Sequence, residues 1–532
     1  MSSGWKQGEQ YVWASAAAVT VTFAILVTLV VVVLINGLGF FWPKRVAVAR
    51  LTDGSLVMGE LSDRERIPDS EEWRVQFRTG NRDLYGLDFR WIEERNIAEL
   101  TYPEEAVTLE RQEFGNFYGF LKAVQRGDAP RPSAGTLWAA LGELREFVEE
   151  EAETLEAMGG ELADISRKME GIRRANLKLA YRGEDSNQAA IAANNGRLKD
   201  LRAGFEARNE VFSARVTALN RTAATFTDVS GKEKETPLVM IVRAYRPNTL
   251  SRWGKIRVYA SKVKELLLGD PRESNTEGGL FPAIFGTVIL VMVMSVFCIP
   301  LGVVAAIYLR EYAREGWLVQ LARIAVYNLA GVPSIVYGVF GLGFFVYGVG
   351  GTLDQLFFPE RLPAPTFGTG GILWASLTLS LLTVPVVIVT TEEALSSIPV
   401  GIREGSLSLG ATQFQTLVRI LLPMASPGIM TGFILAMARA AGEVAPLMIT
   451  GVVKLAPALP VDGQFPFVHL DRKFMHLGFH IFDVGFQSPN AEAAKPMVYI
   501  TTLLLILIVL FLSLGAIFFR NRMRKRYQSA AF

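Results

Sequence analysis

Residues 391–432 read TEEALSSIPVGIREGSLSLGATQFQTLVRILLPMASPGIMTG, and the class of this protein turns on them. The stretch lies between two apolar runs yet is itself amphipathic. Leu407, Leu409, Phe414, Leu417, Val418, Ile420 and Leu422 are separated by polar residues, with Gly410 in the middle. Two short helices meeting at a glycine fit that pattern, because glycine takes the backbone through a tight turn without steric cost. The expectation is a helix pair pinned at a membrane surface by the spans on either side. The spacing is more particular than amphipathicity requires: Glu404-Gly405-Ser406, three residues, Gly410, nine residues, then Ile420-Leu421-Leu422-Pro423.

Working outward, a bilayer core about 30 Å thick needs about 20 helical residues to cross it. Six apolar runs are long enough: 12–38, 281–308, 325–347, 372–390, 428–449 and 497–519. The first lacks a small-residue cleavage site and exceeds the core of a signal peptide, so it reads as a retained helix. The 532 residues are half hydrophobic with a mean hydropathy of +0.27, yet 20% are charged, so part of the chain belongs in lipid and part in water. With 54 Lys and Arg against 52 Asp and Glu, there is no basic footprint for nucleic acid. The one cysteine, Cys298, permits neither a disulfide nor a thiolate metal site. His469, His476 and His480 share one loop and read as surface or packing residues, not metal ligands. No G-x-x-x-x-G-K-[ST] loop occurs. No catalytic residue, metal or cofactor is therefore expected, and any ATP chemistry must come from a separate subunit.

Orientation follows from charge, because short cytoplasmic loops collect Lys and Arg. The tail residues Arg520, Arg522, Arg524, Lys525 and Arg526 are assigned to the cytoplasm. Counting back through six spans puts the N-terminal segment (1–43 with the first span) inside as well, and places 44–280 in the periplasm. Lys44, Arg45 and Arg50 argue locally for the reverse, but long domains translocate largely regardless of flanking charge. The periplasmic segment has two textures. A small β part is expected over 45–100, where Trp73, Val75 and Phe77 alternate before Gly80-Asn81 and a turn falls at Asp53-Gly54. From residue 137 apolar side chains recur every three or four positions to 172, broken once at Glu151, and a looser run continues to 219. That predicts an antiparallel helical hairpin over about 134–220, reaching about 60 Å from the membrane at 1.5 Å per residue. It serves either as a spacer or as a docking arm.

The quoted spacing resembles the EAA loop of ABC-importer permeases, with Gly405 and Ser406 where that family commonly has alanines. In that family the loop docks in a groove of the ATPase subunit, which implies the same coupling role for Glu404, Gly405, Gly410, Ile420, Leu422 and Pro423 within an EAA loop of 391–428. Three further stretches resemble the PstA family of phosphate permeases: Val332-Pro333-Ser334-Ile335-Val336-Tyr337-Gly338, Thr390-Thr391-Glu392-Glu393-Ala394-Leu395 after Pro385, and 438–447, reading ARAAGEVAPL. The likeness covers about 279 onward. Val389 stands where many members have arginine, and the segment 44–280 is far longer than their first loop. The resemblance implies an all-α polytopic membrane domain of six transmembrane helices, of the type I ABC-importer permease class, with an inserted periplasmic β plus helical-hairpin domain. It also implies a bacterial inner-membrane location, a PstC-like sister permease, a PstB-like ATPase dimer and a periplasmic phosphate-binding protein. A PstC-like subunit and permeases for sulfate or molybdate are the alternatives. A receptor or sensor needs a cytoplasmic output domain, and about a dozen residues follow the last run. A secondary transporter is usually marked by internal repeats or dispersed intramembrane charges, and neither is seen.

The deep charges concentrate at Arg439 and Glu443, four apart and thus on one face if the helix runs through both. Each central charge costs about 2.5 to 3.5 kcal/mol on insertion scales, so both should face protein or water. Arg439, Glu443, Ser334, Thr390 and Thr391 are the expected substrate pathway. An ion pair that merely clamps helices is the structural alternative.

Overall fold

The computed structural model describes residues 9–127, 129, 135–463, 465–488 and 490–528. Position 134, the expected start of the hairpin, lies outside the described residues. Six helices among those described are long and apolar enough to cross a bilayer. They are Tyr11–Phe40, Phe281–Tyr312, Ser334–Phe357, Ile372–Ser396, Gln413–Gly442 and Ala491–Lys525, numbered here as the first to sixth spans.

Two of the six differ from the runs read in the sequence. The third was expected over 325–347, but Trp317–Leu329 forms a separate helix and the span begins at Ser334. Pro333 causes the break: it has no N–H to donate, it disfavours helical backbone at Val332, and its own backbone is extended (φ −55°, ψ 135°). The fifth was expected over 428–449 and instead runs from Gln413 to Gly442. Thr412 starts it with a reciprocal cap, its hydroxyl accepting the Gln415 N–H at 3.2 Å while Gln415 accepts the Thr412 N–H at 3.0 Å. Pro423 and Pro427 do not end this helix. The Ser426 hydroxyl donates to the Pro423 carbonyl at 2.7 Å, the group that Pro427 leaves without its helical donor.

The fourth span is the centre of the bundle. Leu379, Leu382, Thr383 and Val387 are fully enclosed between the second and fifth spans. Close approach depends on glycine at two points: a Cβ at Gly302 would come 2.6 Å from Val387, and one at Gly432 would come 1.9 Å from the Thr390 hydroxyl. The first span is almost wholly exposed and rests mainly on the sixth, where Gly37 meets Ile500, while Phe40 at its end also meets Arg78 of the inserted domain.

Between the first and second spans sits the inserted domain, which holds more strand than expected. Its first antiparallel sheet is built from β1 (Val46–Leu51), β2 (Leu56–Arg66), β3 (Trp73–Arg78), β4 (Phe89–Glu93) and β5 (Ile97–Thr101), in the order β4-β3-β2-β1-β5. Asp53-Gly54 makes the expected β1–β2 turn, with Gly54 at φ 84°. A second sheet lies beyond residue 100: β6 (Val107–Arg111), β7 (Phe117–Gln125), β8 (Ala223–Thr227), β9 (Glu233–Pro237) and β10 (Ile241–Tyr245), in the order β10-β6-β7-β8-β9. Four of these strands are five residues long and the helical hairpin separates β7 from β8, so no local alternation announces the sheet.

The hairpin consists of Leu137–Tyr181 and Glu184–Asn220. Its base packs Leu141, Leu144, Val148 and Leu155 against Leu219, Phe226, Leu238 and Ile241 of the second sheet and its flanks. Glu151, the break in the heptad seam, pairs with Arg215 of the returning helix at 3.3 Å. The far end does not stand clear of the membrane part. Lys178 lies 3.8 Å from the carboxylate of Glu360 and 6.0 Å from the centre of the Phe358 ring, just past the end of the third span.

A joint of polar contacts fixes the domain to the spans. Gln76 donates to Glu492 at 2.8 Å, Asn490 to Asp88 at 2.7 Å and Asn275 to the Lys454 carbonyl at 2.9 Å, while His480 Nε2 is 3.1 Å from the Asn275 carbonyl. Beside it runs an ion network in which Arg243 bridges Glu110 (2.8 Å) and Glu265 (2.5 Å), Lys262 meets Glu110 (2.6 Å), Arg272 meets Glu265 (2.6 Å) and Arg78 meets Glu277 (3.1 Å). Burial opposes ionisation of Glu110, yet Lys262 and Arg243 hold it at about 2. His476 and His480 are buried packing residues, and loss of solvation pushes both down to about 4.

Candidate functional site

Because consecutive spans alternate, the inserted domain and the turn between the fourth and fifth spans face opposite sides of the bilayer. That turn is shorter than the 391–428 read in the sequence. The fourth span continues to Ser396, a helix covers Val400–Ser408, and Gln413 already opens the fifth span. Ile420, Leu422 and Pro423 are therefore inside a spanning helix, and the second of the two expected short helices is that span's first turns. The pivot is as expected. Gly410 has φ 84°, in the left-handed region that a residue with a Cβ enters only at a cost, and nothing crowds it.

The short helix is anchored from below and open above. The buried Ser406 and Thr416 hydroxyls meet at 2.8 Å. Arg403 donates to the Glu311 carboxylate at 2.9 Å and to the Leu395 carbonyl at 2.7 Å, and Gln413 donates to the Glu311 carbonyl at 2.8 Å. Leu395, Ile398, Leu417, Leu421 and Ala425 form the floor. Leu409 and Phe414, on either side of Gly410, are 90% and 66% exposed, and Glu404 and Gly405 are exposed with them. Uncovered apolar side chains on a firmly held scaffold mark a contact surface. Sequence reasoning missed the Arg403–Glu311 anchor, whose partners lie ninety-two positions apart.

At the other end of the fifth span the expected shared helical face does not exist. The helix stops at Gly442, and Glu443 is extended (φ −75°, ψ 134°) before a short helix, Ala445–Thr450, begins. Glycine at the end and Pro446 just beyond explain the stop. Arg439 thus occupies the last turn of the helix, where the carbonyl ends favour a cation. It still meets Glu443 through one contact, Nε to Oε1 at 3.5 Å, and its side chain makes no other hydrogen bond or ion pair among the described residues. Close by, Ser334 opens the third span, whose Gly338 packs on Pro446 so tightly that a Cβ would come 2.7 Å from the proline Cα. The motif stretches 332–338 and 438–447 are in this way brought together, and the charge of Arg439 is felt at Tyr337. Thr390 and Thr391 are not part of that group. Thr390 fits against Gly432, seven residues or about 10 Å along the fifth span from Arg439, and donates to the Val386 carbonyl at 2.8 Å. Thr391 is fully buried, and its hydroxyl has no partner among the described residues.

Residues 298–526 match the family described as "Binding-protein-dependent transport system inner membrane component". Among curated relatives, the chain is 33% identical over 195 residues to the "Probable ABC transporter permease protein YqgH" of Bacillus subtilis, covering 36% of this chain and 59% of the relative. It is 35% identical over 246 residues to the "Phosphate transport system permease protein PstA" of Yersinia pestis, covering 46% and 74%, and 31% identical over 223 residues to the "Probable ABC transporter permease protein YqgI" of Bacillus subtilis, covering 41% and 70%. All three alignments cover less than half of this chain. Six apolar spans, a firmly anchored loop with an apolar crest and a motif-bearing turn at Arg439 are accounted for together: the chain belongs to the family of binding-protein-dependent transport system inner membrane components, as a multi-pass ABC transporter permease that resembles PstA.

Proposed function

We propose that this permease imports inorganic phosphate, that its 44–280 domain is periplasmic, and that both termini are cytoplasmic. Arg439 carries the cargo reading. A guanidinium that makes one long contact, 3.5 Å to a single carboxylate, keeps most of its donor fork free for an oxyanion. Glu443 holds the arginine and, by competing for it, keeps a bound anion from being trapped. The printed name of the Yersinia pestis relative supports phosphate, while the two Bacillus subtilis names state no cargo.

On this reading a PstC-like subunit completes the pathway and a periplasmic phosphate-binding protein delivers to it. A pair of PstB-like ATPases receives Leu409 and Phe414 of the coupling turn. Closure of the ATPases then pulls on Gly410 and the Val400–Ser408 helix, and the floor at Leu395, Leu417 and Leu421 carries the movement into the fourth and fifth spans. That is a coupling free energy between two sites.

The test is Arg439→Gln in membranes that contain all subunits. Uptake of radiolabelled phosphate falls at least about 100-fold, equivalent to about 3 kcal/mol, while assembly and basal ATPase activity stay normal. Near-normal uptake at wild-type protein level removes Arg439 from the pathway. Suppression of uptake by sulfate or molybdate as strong as by phosphate reassigns the cargo. Cysteines at Ser186 and Ser408, with Cys298 replaced, react with an impermeant reagent from opposite sides, and labelling of Ser186 from the cytoplasm reverses the orientation.

A further inference from the structure

The helical hairpin is electrically divided. Its half nearest the sheets, 137–164 with 203–221, has eleven acidic and four basic residues, a net of −7; the far half, 165–202, has four acidic and nine basic residues, a net of +5. Packing is divided at the same place. Buried residues of the first helix end at Leu162, so the far half is not held by a core of its own domain. Its end is held by the membrane part, through Lys178 against Glu360 and Phe358. Phe357, the residue before, closes the third span and is 65% exposed, with Leu356 at 68%. The basic end of the hairpin therefore lies where a lipid-facing helix leaves the bilayer.

We propose that this far half rests on the bilayer surface and binds anionic phospholipid headgroups. Arg167, Lys168, Arg173, Arg174, Lys178 and Arg182 are all exposed. They spread along about 22 Å of helix and do not converge on a pocket, which suits an array of headgroups better than a single free anion. Their internal partners, Asp164 and Glu170, are themselves exposed, and exposed pairs of this kind exchange readily for others. Attraction to a charged surface fades within a Debye length, about 8 Å at physiological salt. The Lys178 anchor holds the near end of the strip beside the end of the third span, where that attraction acts. Beside the cations, Leu177 and Tyr181 are 50% and 65% exposed, an apolar side chain and an aromatic one of the kinds that settle at the headgroup level. The inference does not depend on the cargo or on which compartment the domain faces.

The test uses the full chain in nanodiscs, with Cys298→Ser and a fluorophore on Ala180→Cys, which leaves Leu177 and Tyr181 in place. Discs contain phosphatidylcholine alone or with about 40% phosphatidylglycerol, and the lipids carry brominated tails as quenchers. Quenching should be at least about twofold stronger in the anionic discs. The triple variant Lys168→Glu, Arg174→Glu, Arg182→Glu should lose that difference while its helicity and elution are unchanged. Equal quenching in both discs, or a difference that survives charge reversal, overturns the proposal. So does loss of the difference on adding 10 mM inorganic phosphate at constant ionic strength, which assigns the strip to a free anion, or lipid-independent protection that appears only with the binding protein, which assigns it to a protein face.

Discussion

Two assemblies of charge in this protein are built on opposite plans. At the joint below the inserted domain, Glu110, Arg243, Glu265, Lys262 and Arg272 bind one another through several contacts at 2.5 to 2.8 Å, with only the Arg272 Nε left over among them. At the end of the fifth span, Arg439 and Glu443 share one contact at 3.5 Å and nothing else among the described residues. A network with every partner in place resists change, because removing one member strands another in a poorly solvated site. A loose pair has capacity left over, and that capacity is what a transported anion can use. Saturation, more than burial or charge alone, separates the structural cluster from the pair proposed to line the pathway.

The sharpest way to break this contrast is to remove one arginine from each. Arg243→Met leaves Glu110 and Glu265 without their bridge and should cost about 3 to 5 kcal/mol of domain stability, seen as a large fall in Tm and in protein level. Whatever folds should still transport at a normal rate per molecule. Arg439→Gln should do the reverse, with unchanged Tm and lost uptake. If both variants lose stability alike, the saturation argument fails.

Acid should discriminate next. Glu110 is ionised in the folded protein down to about 2, so its contribution is complete above its usual value near 4.5 and is lost as pH falls from there through 2. His476 and His480 titrate at about 4 when folded, against 6.5 when free. As pH falls below 6.5 the unfolded chain takes up protons that the folded chain refuses, and stability drops by at most about 3 kcal/mol per histidine by the time pH reaches 4. Thermal unfolding followed from pH 7 to 4 should show this slope, and His480→Gln should flatten it. A flat wild-type profile over pH 6.5 to 4 would mean that these rings are solvated.

Smaller effects belong to the coupling turn. Gly410→Leu must adopt φ 84°, which costs about 1 to 2 kcal/mol of strain, and it should uncouple ATP hydrolysis from uptake while the protein inserts normally. Ser406→Ala removes the 2.8 Å contact with Thr416 and should cost about 1 kcal/mol, read as a small Tm shift with uptake within about twofold of normal.

Much of the fold was legible because a bilayer imposes its own period on the sequence. All six spans announced themselves by length and apolarity, and the hairpin by its three-four spacing. The errors fall where one residue overrides the window around it. Pro333 moved the start of the third span, whereas Pro423 and Pro427, which by the same rule should have broken a helix, did not, and Ser426 takes up the carbonyl that Pro427 frees. The second sheet escaped because its strands are short and its partners lie far apart in the chain. In the candidate site, the reading of Arg439 and Glu443 as neighbours survives for a different reason from the one given by spacing. They meet across a helix end, a geometry set by Gly442 and Pro446 and not by the four-residue period. The anchor from Arg403 to Glu311 bridges ninety-two positions and had no local signature.

The insertion of the hairpin between β7 and β8 also sets a timetable for synthesis. β7 pairs with β8 along its length, yet about one hundred residues separate the end of one from the start of the other. At 5 to 20 residues per second, a ribosome spends roughly 5 to 20 s on that interval. Throughout it, β7 waits with an unpaired edge and only β6 beside it in the sheet, which is the arrangement most open to pairing with a stranger. The long hairpin therefore creates a window during biogenesis in which a nascent-chain holdase has something definite to guard.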